Sequence, residues 1–475
     1  MSQLRINFIY QGTYQILLMI LPLLTSPYLS RILGPDGIGE YSYTYSIASF
    51  FVLCSMLGLN NYGNREIAKN RDNPQKLNQT FSSITYIHWG ASLMTTFFYI
   101  IFLKVNNGTI IEWLQLIYVL SSFFDINWFF GGIERFKIIV LKNTIIKFGT
   151  LFLIFGFVKG NNALLKYTIF MSFSIFLSQA IIWNEIKKYT KLVLVPWTQI
   201  KAHIKPMFLL FVPVIAMSLY RIIDKIMLGY LSNATQVGFY ENADKLIRMP
   251  VGVITAIGTV MMPKISNYIA LGTCEQGKKE TDESTKVVMF LAYAMAFGLA
   301  AVASDFSVIF WGEEFAECGK LIQISASAIP FLAIADVVRS QYLIPYGKDK
   351  KYMYSITIGA VVNISLNCVL IPGKQAIGAT IATVVTEMIV CLGHILVSWK
   401  NFPIILNLKK TLPFLSNAII MFLVIKYFSS KTNISILNLL IEISLGVFIY
   451  FLLGIIVLLI IKERKAFQKN TGNTR

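Results

Sequence analysis

Charge is what this sequence has least of. Of its 475 residues only 14% are Asp, Glu, Lys or Arg, against ~25% in an ordinary soluble domain. A water-soluble globular fold is excluded on that ground. Histidine and cysteine are scarce as well, at 3 and 5 residues. Cys54, Cys274, Cys318, Cys368 and Cys391 are scattered with no metal spacing, which excludes a zinc site and a disulfide framework. Long polar connections are missing on one side of the pattern, where the longest is roughly 309–320, so no catalytic domain fits there. The ~10-residue alternating segments of a β-barrel are also absent.

What the chain does have is apolar length. It is 55% hydrophobic with a mean hydropathy of +0.62. Runs of about 20 apolar residues are long enough to cross a ~30 Å hydrocarbon core. At that depth each backbone N–H and C=O must be paired within its own segment, so the runs are helices. The pattern predicts about fourteen spans, near 8–33, 41–60, 80–103, 111–130, 139–158, 164–183, 207–230, 239–262, 286–308, 321–345, 353–371, 377–399, 412–428 and 436–460. The first is long, with Pro22 and Pro27 and no small-x-small site, and reads as a helix rather than a cleaved signal.

The net charge of +18 invites a nucleic-acid reading, but its distribution contradicts one. With the N-terminus inside, 28 of the 42 Lys and Arg fall on inner segments, six on or beside outer ones, and eight within spans. That asymmetry is the positive-inside rule, and it predicts both termini in the cytoplasm. The excess reads as topology plus attraction to anionic lipid.

The chain also repeats itself. Arg31-Ile-Leu-Gly34 followed by Gly37-Ile-Gly39-Glu-Tyr41 is echoed by Lys225-Ile-Met-Leu-Gly229 followed by Val237-Gly238-Phe-Tyr240. Asp125 leads through one span to Gly160, and Asp336 through one span to Gly373, at offsets of 211 and 213 residues. The polar, basic segment 184–206 falls between the copies. The expected domains are therefore a six-helix lobe over 1–183, the connection 184–206, a second six-helix lobe over 207–400, and two extra helices with a basic tail over 401–475. Each copy holds an even number of spans, so the copies run parallel, as in transporters with a substrate path between lobes.

Charges within spans cost roughly 2.5–3.5 kcal/mol each on insertion scales and are functional suspects. Arg221, Asp224 and Lys225 share one face of the seventh span, and Asp244, Lys245 and Arg248 cluster on the eighth. Arg221, Lys225, Lys245 and Arg248 suit a phosphate-bearing anion held between lobes. The competing reading is that these charges neutralise one another, Arg221 with Asp224 and Asp244 with Arg248. Asp125 and Asp336, the latter three residues before Arg339, read as internal pairs or helix-end acceptors, or as proton or sodium coupling groups. Glu387 and His394 carry the same ambiguity, as do Lys147 and Lys166, while His88 reads as a packed interior residue. Gly34, Gly37 and Gly39 predict a tight turn. Pro22, Pro213, Pro250 and Pro330 are candidate kinks, and Trp113, Trp183, Trp311 and Trp399 are candidate interfacial aromatics. No metal or other cofactor is expected, and no enzyme activity.

The stretch Leu33 to Tyr41, Gly58-Leu59 to Arg65-Glu66-Ile67-Ala68, Asp224-Lys225 to Gly229 and Gly238-Phe-Tyr240 resemble Wzx-type polysaccharide repeat-unit flippases. So does the stretch Gly347 to Glu387 with Asn363, Asn367, Leu370-Ile-Pro372 and Ile377-Gly-Ala379. These belong to the multidrug/oligosaccharidyl-lipid/polysaccharide exporter superfamily. The resemblance implies an all-α, V-shaped exporter like the MATE transporters, in a bacterial cytoplasmic membrane. It implies a cargo of undecaprenyl-pyrophosphate-linked oligosaccharide for capsule or O-antigen, with polymerase and other assembly proteins as partners. Lipid II or teichoic-acid precursors are the alternative cargo, and a drug/cation antiporter is the alternative class. Such antiporters commonly use an acidic residue in the first span, and Phe8 to Leu33 contains none.

Overall fold

A computed structural model describes residues 3–399 and 402–472, with side chains except at 3–11, 13, 16, 19, 212, 213, 216, 217, 219–221, 458 and 460–472. Among the described residues the chain is helical throughout, in sixteen α-helices. They are α1 Gln3–Met56, α2 Leu59–Asn70, α3 Pro74–Val105, α4 Ile110–Ser121, α5 Asn127–Gly132, α6 Phe136–Phe157, α7 Ala163–Ile186 and α8 Trp197–Leu231. Then follow α9 Ala234–Ala270, α10 Cys274–Trp311, α11 Cys318–Ala326, α12 Ile329–Val338, α13 Asp349–Ser398, α14 Ile404–Lys409, α15 Leu412–Ser429 and α16 Ile436–Gly472. Among the described residues ten helical stretches are long and apolar enough to cross a membrane, two of them about 50 residues long. This is a multi-pass membrane protein.

The fusions have a chemical cause. The span expected at 8–33 and most of that at 41–60 lie in α1, parted where Gly34 takes φ 65° and ψ 179°. Pro35 follows, and a proline disfavours helical geometry in the residue before it, while glycine accepts positive φ without steric cost. Of the three glycines expected to make this turn, Gly34 alone bends the backbone. Gly37 and Gly39 already sit in the following helical stretch. Likewise 353–371 and 377–399 share α13, broken at Gln375 (φ 50°, ψ −129°). Pro330, expected to kink a span, instead sits in the first turn of α12, where its missing N–H would be unpaired anyway.

The span expected over 111–130 is interrupted. A capping box between Thr109 and Glu112 starts α4, but the helix ends at Ser121 and the chain turns at Asp125 (φ −75°, ψ 100°) before α5. Backbone carbonyls freed at membrane depth must find new donors. Three indoles supply them. Trp89 Nε1 donates to the carbonyl of Phe123 (3.0 Å), Trp183 to that of Phe124 (3.0 Å) and Trp128 to that of Asp125 (3.1 Å). Trp183 is thus a structural donor rather than a surface anchor. Trp311 is also buried, against Phe306 and Phe315, whereas Trp399 is exposed as expected.

The described chain packs as two units, 1–238 and 239–475. In the first, α2, α3, α5 and α7 enclose an aromatic core of Tyr62, Phe81, Trp128, Phe129 and Phe130. Phe81 meets Phe129 edge-on at 5.1 Å. The segment after α7 is strapped to α3. The N–H of Val193 donates to Ser82 Oγ (2.9 Å), that of Lys191 to Asn78 Oδ1 (3.0 Å), and Tyr86 Oη–H to the carbonyl of Val193 (3.1 Å). α8 then packs on α1, α2 and α3. In the second unit α10 is the central element, touching α11, α12, α15 and α16. Large side chains such as Phe97, Phe152, Leu396 and Phe448 remain exposed. Around a membrane protein these face lipid tails, which solvate them as well as a core would.

Candidate functional site

The charged groups on α8 and α9 occupy two units and are described within each. On α8 the Arg221 side chain lies outside the described residues. Asp224 is only 2% exposed, and neither it nor Lys225 is without a partner. On α9, Arg248 holds Asp244 through both Nε (2.8 Å) and Nη2 (2.7 Å). Lys245 meets Glu241 at 3.0 Å. Both pairs are i, i+4, the spacing that stacks side chains along one helical face. The Asp244–Arg248 pairing is the mutual neutralisation weighed in the sequence. It does not hide the cations, because Lys245 and Arg248 keep 37% and 43% of their side-chain surface exposed. A paired arginine with unused N–H donors can still grip a phosphate oxygen.

Asp125 is an acceptor at the entry to α5. Its Oδ1 accepts from the backbone N–H of Asn127 (3.0 Å) and from Asn127 Nδ2 (2.8 Å), and Oδ2 accepts from Gln179 Nε2 (3.2 Å). Its repeat equivalent, Asp336, instead pairs with Arg339 on the same turn. Asp336 is buried and is approached by α9 at Gly258, where a Cβ would lie 2.3 Å from Asp336 Oδ2 and 3.0 Å from Ser340 Oγ. Gly258→Ala should therefore push Asp336 off Arg339 and cost about 1–3 kcal/mol of stability, the usual overpacking penalty. Thermal unfolding of the detergent-solubilised protein checks this, and an unchanged midpoint would overturn it. His394 is buried, with Nδ1 3.3 Å from the carbonyl oxygen of Ala335. Glu387, seven residues earlier on the same helical face, is buried and is not without a partner. His88 is buried in α3, as expected.

Several polar groups went unnoticed as sites in the sequence. Asn367 Nδ2 donates to Asn363 Oδ1 at 3.2 Å, both residues fully buried in α13. Tyr240 and Thr383 share a hydrogen bond of 3.0 Å across 143 residues. The Tyr240–Thr383 partnership is invisible to local spacing.

The repeated turns show the closest packing in the first unit. A Cβ on Gly39 would lie 1.7 Å from the carbonyl oxygen of Ala234, and one on Gly238 would lie 2.1 Å from that of Pro35. Thr235 Oγ1 donates to the Asp36 carboxylate beside them. The turn after Gly34 and its repeat copy after Gly229 thus meet backbone against backbone.

The family model described as "Polysaccharide biosynthesis protein" matches residues 4–269. The chain belongs to that family. A second model, "Lipid II flippase MurJ", matches 153–444, and the family lies within the multidrug/oligosaccharidyl-lipid/polysaccharide exporter superfamily. A "Putative O-antigen transporter" of Escherichia coli (strain K12) is 24% identical over 395 residues, covering 82% of this chain and 94% of that protein. The lipid II flippase MurJ of Bacillus subtilis (strain 168) is 28% identical over 141 residues, covering 29% of this chain and 26% of that protein. Among solved structures, a lipid II flippase MurJ in an inward closed conformation superposes with a TM-score of 0.77, 18% identity, and 95% and 98% coverage of the two chains. An inward-facing multidrug MATE transporter gives 0.55 at 14% identity, covering 82% and 99%. At such identities the likeness establishes the fold of this polysaccharide biosynthesis protein. The expected all-helical exporter architecture is the observed one.

Proposed function

We propose that this family member is a flippase, carrying oligosaccharide repeat units linked to undecaprenyl pyrophosphate from the cytoplasmic to the outer leaflet. The observation that carries the reading is the match to nearly the full length of an O-antigen transporter. The chain's charge pattern supports it: both termini are assigned to the cytoplasm, and no long outer connection offers room for an enzyme. Lys245 and Arg248, exposed although paired, supply donors for a pyrophosphate, and Arg221 and Lys225 carry matching charge on α8. Alternating access is the mechanism in view. Proton or sodium coupling would fall to the buried acids Asp224, Asp336 or Glu387, since Asp125 is committed to the α5 entry. Polysaccharide polymerase and other assembly proteins are the expected partners.

Lipid II is the second reading, favoured by the MurJ model over 153–444 and the MurJ structural likeness. Depletion of the protein in its host separates the two. Repeat-unit export predicts cytoplasmic-leaflet accumulation of lipid-linked oligosaccharide and loss of surface polysaccharide, with cell-wall synthesis intact. Wall arrest with normal surface polysaccharide would instead assign lipid II. Loss of drug efflux alone would overturn both.

A further inference from the structure

At the end of the first unit where α2 gives way to α3, a pocket of about 220 Å³ opens between these helices and the start of α8. It is smaller than the ~300–1,000 Å³ of a drug-sized site. Asn70, Lys76, Thr80, Ser83, Gln199 and His203 line it.

No carboxylate is among the lining residues, and the polar groups have donors to spare. The Lys76 ammonium makes no ion pair among the described residues. Ser83 is 1% exposed and brings a hydroxyl to the lining. The Thr80 hydroxyl already accepts from Asn70 Nδ2 (3.2 Å), which leaves its proton to donate. His203 Nδ1 lies 2.6 Å from the Tyr62 hydroxyl. With the phenol donating into the neutral ring, the imidazole proton would sit on Nε2 as a further donor. Glu66, the nearest acid on α2, is occupied by Lys69 (2.9 Å) and Arg65 (3.3 Å).

A cation surrounded by hydroxyl and N–H donors matches an acceptor-rich anion, and charge-assisted bonds to phosphate are the strongest this set can make. We propose that this pocket binds a phosphate oxyanion, either the headgroup of an anionic membrane lipid or free phosphate, as a site distinct from the transported cargo. Its place beside the strapped segment after α7, at the end of membrane helices where basic residues gather, puts it within reach of a lipid headgroup.

Burial holds the His203 imidazole below its ordinary pKa, with Glu66 pulling the other way. Tyr62 and Glu66 on α2, Lys76 on α3 and Lys201 and Lys205 on α8 are the titratable groups around it. A bound anion favours the protonated ring, so affinity should rise as pH falls through the titration of this imidazole.

The test uses the purified full chain in neutral detergent, with phosphatidylglycerol counted by native mass spectrometry and inorganic phosphate titrated calorimetrically. Lys76→Gln and His203→Gln should each weaken binding about tenfold, with Lys104→Gln, at the other end of α3, as an unaffected control. Wild type should bind more tightly at pH 5.5 than at 7.5, and His203→Gln should lose that gain. Preference for the lipid over inorganic phosphate assigns the headgroup, and the reverse assigns free phosphate. Binding by neither probe, or binding that ignores both substitutions, overturns the proposal. Either result leaves the cargo assignment untouched, since no lipid-linked sugar is present.

Discussion

Gly39→Leu should abolish surface polysaccharide while the protein still accumulates in the membrane, and Gly39→Ala should remove most of it. The first atom of any side chain here is fixed by the backbone, 1.7 Å from the Ala234 carbonyl oxygen, so no rotamer relieves the clash. Ordinary overpacking costs about 1–3 kcal/mol because side chains yield. Here two backbones must part, and the closed pairing of the turns should lose at least ~3 kcal/mol, more than a hundredfold in population. Gly238→Ala should act alike, its Cβ meeting the Pro35 carbonyl oxygen at 2.1 Å. The direct measurement is a disulfide between Asp36→Cys and Thr235→Cys, whose wild-type side chains hydrogen-bond. Oxidation should form it readily, stop export, and release export on reduction. Export that continues through the cross-link would mean these turns need not separate during transport. Near-normal polysaccharide with Gly39→Leu would sink the argument from packing.

The second large effect concerns Arg248. Arg248→Gln alone deprives Asp244 of its arginine, so its loss of export is ambiguous. The double variant Asp244→Asn with Arg248→Gln removes both charges and keeps similar shapes, and replacing a pair by neutral groups is often tolerated. If Arg248 serves only to neutralise Asp244, the double variant exports normally. If it binds pyrophosphate, the double variant accumulates normally yet loses a charge-assisted contact of about 1.5–3 kcal/mol, roughly 10–150-fold in cargo affinity. Surface polysaccharide and protein level, measured together, decide between them. Lys245→Gln with Glu241→Gln gives the parallel test for the neighbouring pair.

How far the sequence reached can be judged from these residues. The helices were legible because hydropathy over twenty residues is a local quantity. So were the i, i+3 pairing of Asp336 with Arg339 and the i, i+4 pairing of Asp244 with Arg248, since helical spacing alone brings them together. The break at Gly34 was legible from the cluster of glycines there, though not which of them bends. The break at Asp125 was not, because it depends on indoles from α3, α5 and α7 that donate to the exposed carbonyls. Gly39 was read as a turn residue. Its use is to admit a carbonyl 195 residues away in sequence, which no local pattern encodes. The Tyr62–His203 contact and the pocket beside it were hidden for the same reason.

The arrangement around α10 bears on how the protein is assembled. α15 and α16 lean on α10, with Phe290 receiving Phe414, Tyr450 and Phe451 and accepting a hydrogen bond from Tyr450 through its carbonyl (2.8 Å). This pair leaves the ribosome after α10. Until it arrives, the waiting face of α10 is mostly apolar and is wetted by lipid tails at little cost, whereas in water the same face would aggregate. A ribosome stalled before residue 412 thus leaves an intermediate that can wait in the bilayer, and the arrival of α15 and α16 only trades lipid contacts for protein ones.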